Sequence, residues 1–372
     1  MTDWTQYIRR FRRFEHQSPR EVLTRCLTPR DWSKLVSIET VAHETFDLEE
    51  GGLYDPAKNC PHQRGAIRGF IVNDGVLWPG VGTIRTDQGQ LIAESFFDEI
   101  SRRLALERGY TGQFPVVRAG GVAGTLGHLY RNYYHRWADS ISRIYSLHHP
   151  KLRQFEEVTL HVDDRFSEGE MKVIRHLVPE NVAVTPVGSA VRVRADQCVH
   201  LPFLSKDRVN PSKHFNNSAG FLPTECLNWI REEVFGLFEL NPEEPFRKLY
   251  VTRRNAKLRR LINEEEVVAY LEKRGFEVVA LESLPLRDQV LRFAEAEIVV
   301  AQHGAGLINL LFAQSPKVLE VCSSEEDGQF YYRLISEARD FPHLQIHRDG
   351  ADKNADVRLP ISELKDGLAR LH

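Results

Sequence analysis

From about residue 211 onward, short apolar runs alternate strictly with amphipathic stretches, and this alternation limits the folds open to the chain more than any other feature. "RKLYVTRR" reads as a strand ending in Arg253 and Arg254. "NEEEVVAYLEKRG" follows as a helix, with Asn263 as N-cap, Glu266 in the capping-box position and Gly275 as the stop. "FEVVAL" is a strand, "PLRDQVLRFAEA" a helix opening at Pro285, "EIVVAQ" a buried strand, and "GAGLINLLFA" the start of another helix. "KVLEV", "FYYRLISEAR", "HLQIH" and "LPISELKDGLARLH" complete the series. Such alternation predicts a doubly wound parallel sheet flanked by helices over 211–372.

Residues 1–210 read as a second, more decorated α/β domain. Asn73-Asp74-Gly75 between apolar runs predicts a hairpin. The glycine-rich "GGVAGTLG" leads into an expected helix, "HLYRNYYHRWADSISRIYSLHH", followed by strands at "EEVTLHV", "VAVTPV" and "ADQCVHLPF". The polar stretch from Ser205 to Gly220 is the expected linker. The fold class expected is therefore α/β: two Rossmann-like domains with parallel sheets facing a central cleft.

Composition narrows the function classes. A formal net charge of -3 and 42% hydrophobic residues describe a soluble globular chain without the basic field that holds nucleic acid. The five cysteines are widely spaced with no CxxC, which argues against a disulfide framework or structural zinc and for a reducing, cytoplasmic setting. The start of the chain has no apolar core of signal-peptide length. Trp4, Tyr7, Phe11 and Phe14 alternate there with Arg9, Arg10, Arg12 and Arg13, a pattern that suits peripheral membrane contact or a surface helix packed on its own domain.

Three stretches carry chemistry. At "EIVVAQHGAGLINLLFA" a buried strand ends and a helix opens at His303, Gly304, Ala305, Gly306 and Leu307, with Asn309 in its first turns. Helix N–H groups stabilise an anion, and glycines let a diphosphate approach the backbone. A GxG corner also serves plain close packing. Glu320, after the next apolar run, is placed to accept from a ribose hydroxyl. Arg253, Arg254, Arg259 and Arg260 cluster at the end of another strand of the same sheet, as phosphate ligands or as a solvated loop. In "NYYHRWADSISRI", His135 and Asp139 lie four apart, so a helix puts them on one face away from the buried stripe of Trp137, Ile141 and Ile144. A carboxylate there fixes the imidazole tautomer and raises its basicity, as a general base requires.

Together these stretches resemble the family 61 glycosyltransferases. The resemblance rests on Asn132, His135 and Asp139 in an Asn-x-x-His-x-x-x-Asp segment, on Arg253, Arg259, Asn263 and Glu264, and on His303 to Leu307 followed by Glu320. It covers roughly 65–325. It implies a GT-B architecture in which the domain at 211–372 holds a nucleotide-sugar donor, with a preference for uridine diphosphate, and the domain at 1–210 faces the acceptor. It further implies inversion at the anomeric carbon and no metal or other cofactor. Asp163-Asp164 lacks the spacer of a metal-binding DxD and reads as a strand-ending turn. On this resemblance His135 and Asp139 are the catalytic pair. Asn132, Arg253, Arg254, Arg259, Asn263, His303, Gly304, Ala305, Gly306, Leu307, Asn309 and Glu320 are the donor-binding set. The missing leader points to a bacterial-type member acting on a glycan or glycolipid in surface polysaccharide synthesis.

Two other readings compete. An NAD-dependent nucleotide-sugar dehydrogenase or epimerase shares the GxG turn, but the third glycine is absent and the motif follows the third strand of its domain, not the first. A catalytically inactive nucleotide- or glycan-binding protein would have lost the His135–Asp139 pair, which is present.

Overall fold

The computed structural model describes residues 35–41, 43–55, 66–97, 115–205, 222–323, 331–350 and 354–371. The amphipathic start and most of the expected linker lie outside these residues. Two sheets dominate, one in each half of the chain, so the α/β class expected from the sequence is the class observed.

The sheet of the second half is entirely parallel. The first-half strands are β1 (Leu35–Val36), β2 (His43–Asp47), β3 (Arg68–Trp78), β4 (Thr83–Arg85), β5 (Leu91–Ile92), β6 (Val116–Arg118), β7 (Val122–Thr125), β8 (Val158–Val162), β9 (Val182–Pro186) and β10 (Arg192–His200). The second-half strands are β11 (Arg247–Val251), β12 (Phe276–Val279), β13 (Ala296–Gln302), β14 (Lys317–Cys322) and β15 (His343–His347), ordered β12-β11-β13-β14-β15. This is a doubly wound order, and it reverses direction between β11 and β13. Ligands of such sheets bind in the crevice beyond the carboxyl ends of the strands at that reversal.

The first-half sheet differs from expectation. Its β10, β7, β8 and β9 are parallel, but β3 runs antiparallel to β10, β2 and β4, so the sheet is mixed. The expected hairpin at Asn73-Asp74-Gly75 is the middle of the eleven-residue β3. Asp74 adopts φ +52° without turning the strand. Gly75 is needed for close approach, because a Cβ there would meet Cys198 Sγ at 2.7 Å. Likewise "GGVAGTLG" does not open a helix. It contains β7, and just beyond that strand a Cβ at Gly127 would strike the Pro79 carbonyl.

Besides the single turn Pro150–Arg153, the α-helices among the described residues are, in chain order, α1 (Tyr133–Ala138), α2 (Glu168–Leu177), α3 (Thr224–Leu237), α4 (Glu264–Glu272), α5 (Leu286–Ala294), α6 (Tyr331–Ala338) and α7 (Ile361–Arg370). The long helix expected from 128 to 149 breaks at Asp139 and continues as a 3-10 stretch, Ile141–His148. Ser167 and Glu170 form a reciprocal capping box on α2. Asn263 is the N-cap of α4 but makes no side-chain cap, so the expected capping box is not formed.

One continuous apolar core joins the halves. It runs from Leu160 and Val162 of β8 through Trp137 of α1 and Ile230 of α3 to Phe312, Val299 and Val318. Trp137 meets Phe312 edge-on at 5.2 Å between ring centroids. A second core, with Tyr250, Ile298 and Val300 on one side and Val267 and Leu364 on the other, covers the far face of the parallel sheet. His135 is thereby carried on a short helix pressed against the half that holds the glycine turn.

Candidate active site

The chain leaves β11 at Thr252-Arg253 and β13 at Gln302-His303-Gly304, the two strand ends at the sheet's reversal. Arg253 is fixed by its own loop: Nε donates to the Arg259 carbonyl at 3.2 Å and Nη2 to the Leu258 carbonyl at 3.1 Å. Nη1 lies over Gly304, where any Cβ would collide with it. That contact explains the glycine. Burial, and next the neighbouring Arg259, lower the Arg253 pKa. Arg259 itself takes φ +58° and donates its N–H to the Asn354 carbonyl.

Gly304 caps a 3-10 helix, Ala305–Phe312, whose first N–H groups have no partner within the helix. The two glycines of the turn serve different ends. A Cβ on Gly306 would meet Leu281 Cδ1 at 2.7 Å, so residue 306 is small to fit its neighbours rather than to admit a ligand.

His303 Nδ1 sits 2.6 Å from Glu320 Oε1. Glu320 is inside β14 and fully buried. Its Oε2 accepts from His343 Nε2 at 3.0 Å and Gln345 Nε2 at 2.8 Å. Burial alone would raise the Glu320 pKa, but the hydrogen bonds from His303 and His343 hold it at about 2. The side chain is wholly enclosed and both oxygens accept from protein donors, so Glu320 faces the sheet and not a ribose. The carboxylate instead orients the His303 ring through Nδ1.

The second pair is in the other half. Asn132 caps α1 by accepting from the His135 N–H at 3.1 Å, and Asp139 is the C-cap of the same helix. His135 Nδ1 hydrogen-bonds Asp139 Oδ2, and the Ser205 hydroxyl donates to Oδ1. Asp139 is fully buried, whereas the His135 side chain keeps 17% of its exposure. Tyr130 and His128 stack on the His135 ring at centroid distances of 4.7 and 5.2 Å. The His128 pKa is pushed well below its ordinary value, first by burial and then by His135 and Arg165.

Aromatic contacts connect the pairs. Tyr134 lies 5.1 Å from the His135 ring and 5.7 Å from Tyr332, which in turn lies 5.1 Å from His303. Beside this wall, the Tyr133 hydroxyl donates to Asn309 Oδ1 at 2.9 Å. The arrangement sets one accessible imidazole across from a turn bearing arginine, backbone N–H groups and a second imidazole.

Other expected donor residues have different work. Asn309 is buried at the junction of the halves, and Leu307 is in the core. Asn263 donates to the Leu359 carbonyl and accepts the Leu359 N–H, pinning that segment. Arg254 is exposed and donates to Thr252 Oγ1. Asp163, in the turn after β8, is held by Arg165 Nε at 2.5 Å.

Among the described residues, two groups bring three metal-capable atoms within 4.8 Å of one another: His128, His135 and Asp139, and His303, Glu320 and Cys322. In the first, His128 Nδ1 accepts the Tyr130 N–H at 3.1 Å, so the neutral ring carries its proton on Nε2, the nitrogen nearest Asp139. In the second, both Glu320 oxygens serve protein donors. Sequence reasoning missed Tyr332, Ser205, His343 and Gln345. None has a local signal, since Ser205 reaches Asp139 across 66 residues and His343 reaches Glu320 from the neighbouring strand.

The family model described as Glycosyltransferase 61 matches residues 133–319, a span that holds His135, Asp139, Ser205 and His303 and ends one residue short of Glu320. A stretch of 74 residues is 38% identical to the EGF domain-specific O-linked N-acetylglucosamine transferase of Drosophila melanogaster. That match covers 19% of this chain and 14% of the fly protein.

Proposed function

The chain belongs to the glycosyltransferase 61 family, and from that premise we propose that it moves a sugar from a uridine diphosphate donor to a hydroxyl of a glycan or glycolipid by a single inverting displacement. The observation that carries the proposal is the pairing across the core: a histidine–carboxylate pair in each half, joined by the Tyr134–Tyr332 wall. On this reading the two sheets are the acceptor-side and donor-side domains of a GT-B enzyme. The uridine preference comes from the family resemblance, not from a residue.

In the reaction, the acceptor oxygen bonds to the anomeric carbon as the bond from that carbon to the diphosphate oxygen breaks. The acceptor proton passes to His135 Nε2, whose other nitrogen is tied to Asp139. Charge accumulating on the leaving diphosphate meets Arg253, the N–H groups of Ala305 and Gly306, and His303. These groups supply what a metal ion supplies elsewhere, so turnover persists in excess EDTA. Loss of turnover in chelator, restored by manganese or magnesium, would contradict this.

No helix among the described residues is long and apolar enough to cross a membrane. We place the enzyme in the cytoplasm, building a surface polysaccharide. A thermal-shift screen of nucleotides and nucleotide sugars tests the donor assignment, because a ligand of the folded state raises the melting point. UDP-N-acetylglucosamine is the first sugar to try, given the name of the fly relative. A screen in which no uridine nucleotide shifts the melting point would sink the assignment.

A further inference from the structure

With Glu320 closed to a ribose, the donor site lacks the carboxylate expected to hold one. The other side of the same strand ends supplies a candidate. Gln302 is the last residue of β13 and is 3% exposed, yet both its amide nitrogen and its amide oxygen lack a hydrogen-bond partner. Side chains alternate along a strand, so Gln302 shares the face of Ile298 and Val300, on which α4 packs. Val251 and Ala301 are paired neighbours of β11 and β13, which places Thr252 beside Gln302 one residue further on.

Thr252 belongs to a polar cluster. Its hydroxyl donates to Glu264 Oε1 at 2.5 Å, and the Tyr250 hydroxyl donates to the same oxygen at 2.9 Å. Glu264 is the first residue of α4 and is half-buried. Its hydrogen bonds to the protein converge on Oε1, which leaves Oε2 for another donor. A buried amide with neither partner is costly, because each group has lost its water without a replacement. The cost is offset if a ligand supplies both a donor and an acceptor.

We propose that Gln302 and Glu264 form the subsite that reads the vicinal diol of the donor's ribose, with Gln302 as the specificity-determining residue. This deepens the donor assignment above and rests on it. A diol has two hydroxyls, each both donor and acceptor. The 3′-hydroxyl can donate to Glu264 Oε2 while the 2′-hydroxyl accepts from and donates to the Gln302 amide. The position fits the chemistry, since Thr252 and Gln302 sit at the sheet's reversal, next to the Arg253–Gly304 contact that holds the diphosphate.

The test is the affinity of the full chain for UDP and for 2′-deoxy-UDP, measured by calorimetry for the wild type, Gln302→Leu and Glu264→Gln. The wild type should prefer UDP by about ten- to a hundredfold, the range of a hydrogen bond to a buried polar or charged group. Gln302→Leu should lower that preference to about twofold or less while keeping the affinity for 2′-deoxy-UDP, and Glu264→Gln should narrow it partially. Gln302→Leu should also melt no lower than the wild type without ligand, because it removes two unmet polar groups. Three results would overturn the subsite: binding of both nucleotides without discrimination, full discrimination retained in Gln302→Leu, or a lowered melting point in that variant. Failure of the wild type to bind either nucleotide would instead remove the donor assignment, and the subsite with it.

Discussion

The two histidine–carboxylate pairs are built from the same chemistry on different supports. Glu320 and His303 stand on adjacent strands of a parallel sheet, and a third strand adds His343 and Gln345. Both oxygens of that carboxylate accept from protein donors, and His303 is nearly as buried as its partner. Asp139 and His135 occupy one short helix, closed by a serine from a distant segment, and the imidazole keeps an open side. A saturated pair inside a sheet holds a fixed charge pattern toward an anion. A pair at a helix end with an accessible ring can exchange a proton with a bound hydroxyl. On the proposed function, the first support suits donor binding and the second proton transfer.

The largest effect expected from this division concerns turnover. His135→Ala should lose about 10²–10⁴ in kcat while retaining the fold and the donor affinity. Asp139→Asn should lose somewhat less. If Asp139→Asn is the more damaging in steady-state assays, the carboxylate is the base and His135 its partner. Near-full activity in both variants would leave α1 a purely structural element.

Next in size is the anchorage of α1. Truncating the fully buried Trp137 to Ala removes its contact with Phe312 and should cost about 3–5 kcal/mol in denaturant unfolding. A loss well under 1 kcal/mol would mean that the halves do not depend on this contact.

The donor side is sharpened by a double-mutant cycle. Gly304→Ala should weaken nucleotide binding roughly ten- to a hundredfold by displacing the Arg253 guanidinium, as should Arg253→Ala. Combining them should add little, because both remove one interaction. Additive losses in calorimetry would show that Gly304 acts independently of Arg253.

The smallest effects separate the pairs by pH. Glu320 is depressed from 4.5 to about 2, so its contribution is complete above 4.5 and is lost as pH falls through that window. His128, beside the other pair, is depressed below 6.5. The unfolded ring therefore takes a proton that the folded ring refuses, and stability declines once pH drops below 6.5. Difference curves of stability should show Glu320→Gln removing the lower-pH loss and His128→Gln removing the higher one. Curves parallel to wild type would contradict both assignments.

Much of the second half was legible because its parallel strands are continuous apolar runs and its helices carry their own stops, such as Gly275 at φ +79°. The first half was not, because glycines that resemble turn or loop signals, Gly75 and Gly127, are there for close backbone approach within and beside a sheet. Local motifs placed His135 with Asp139 and Arg253 near Gly304. They did not reveal that Glu320 is sealed by β15, or that Asn263 and Asn309 hold the protein to itself. Those facts depend on which strands become neighbours, and no local spacing encodes that.

The division of labour is tested most directly by titrating UDP into His135→Ala and Arg253→Ala side by side in a calorimeter. The account predicts affinity within about threefold of wild type for His135→Ala and a roughly ten- to hundredfold loss for Arg253→Ala. Loss of UDP binding in His135→Ala, or wild-type affinity in Arg253→Ala, would contradict it.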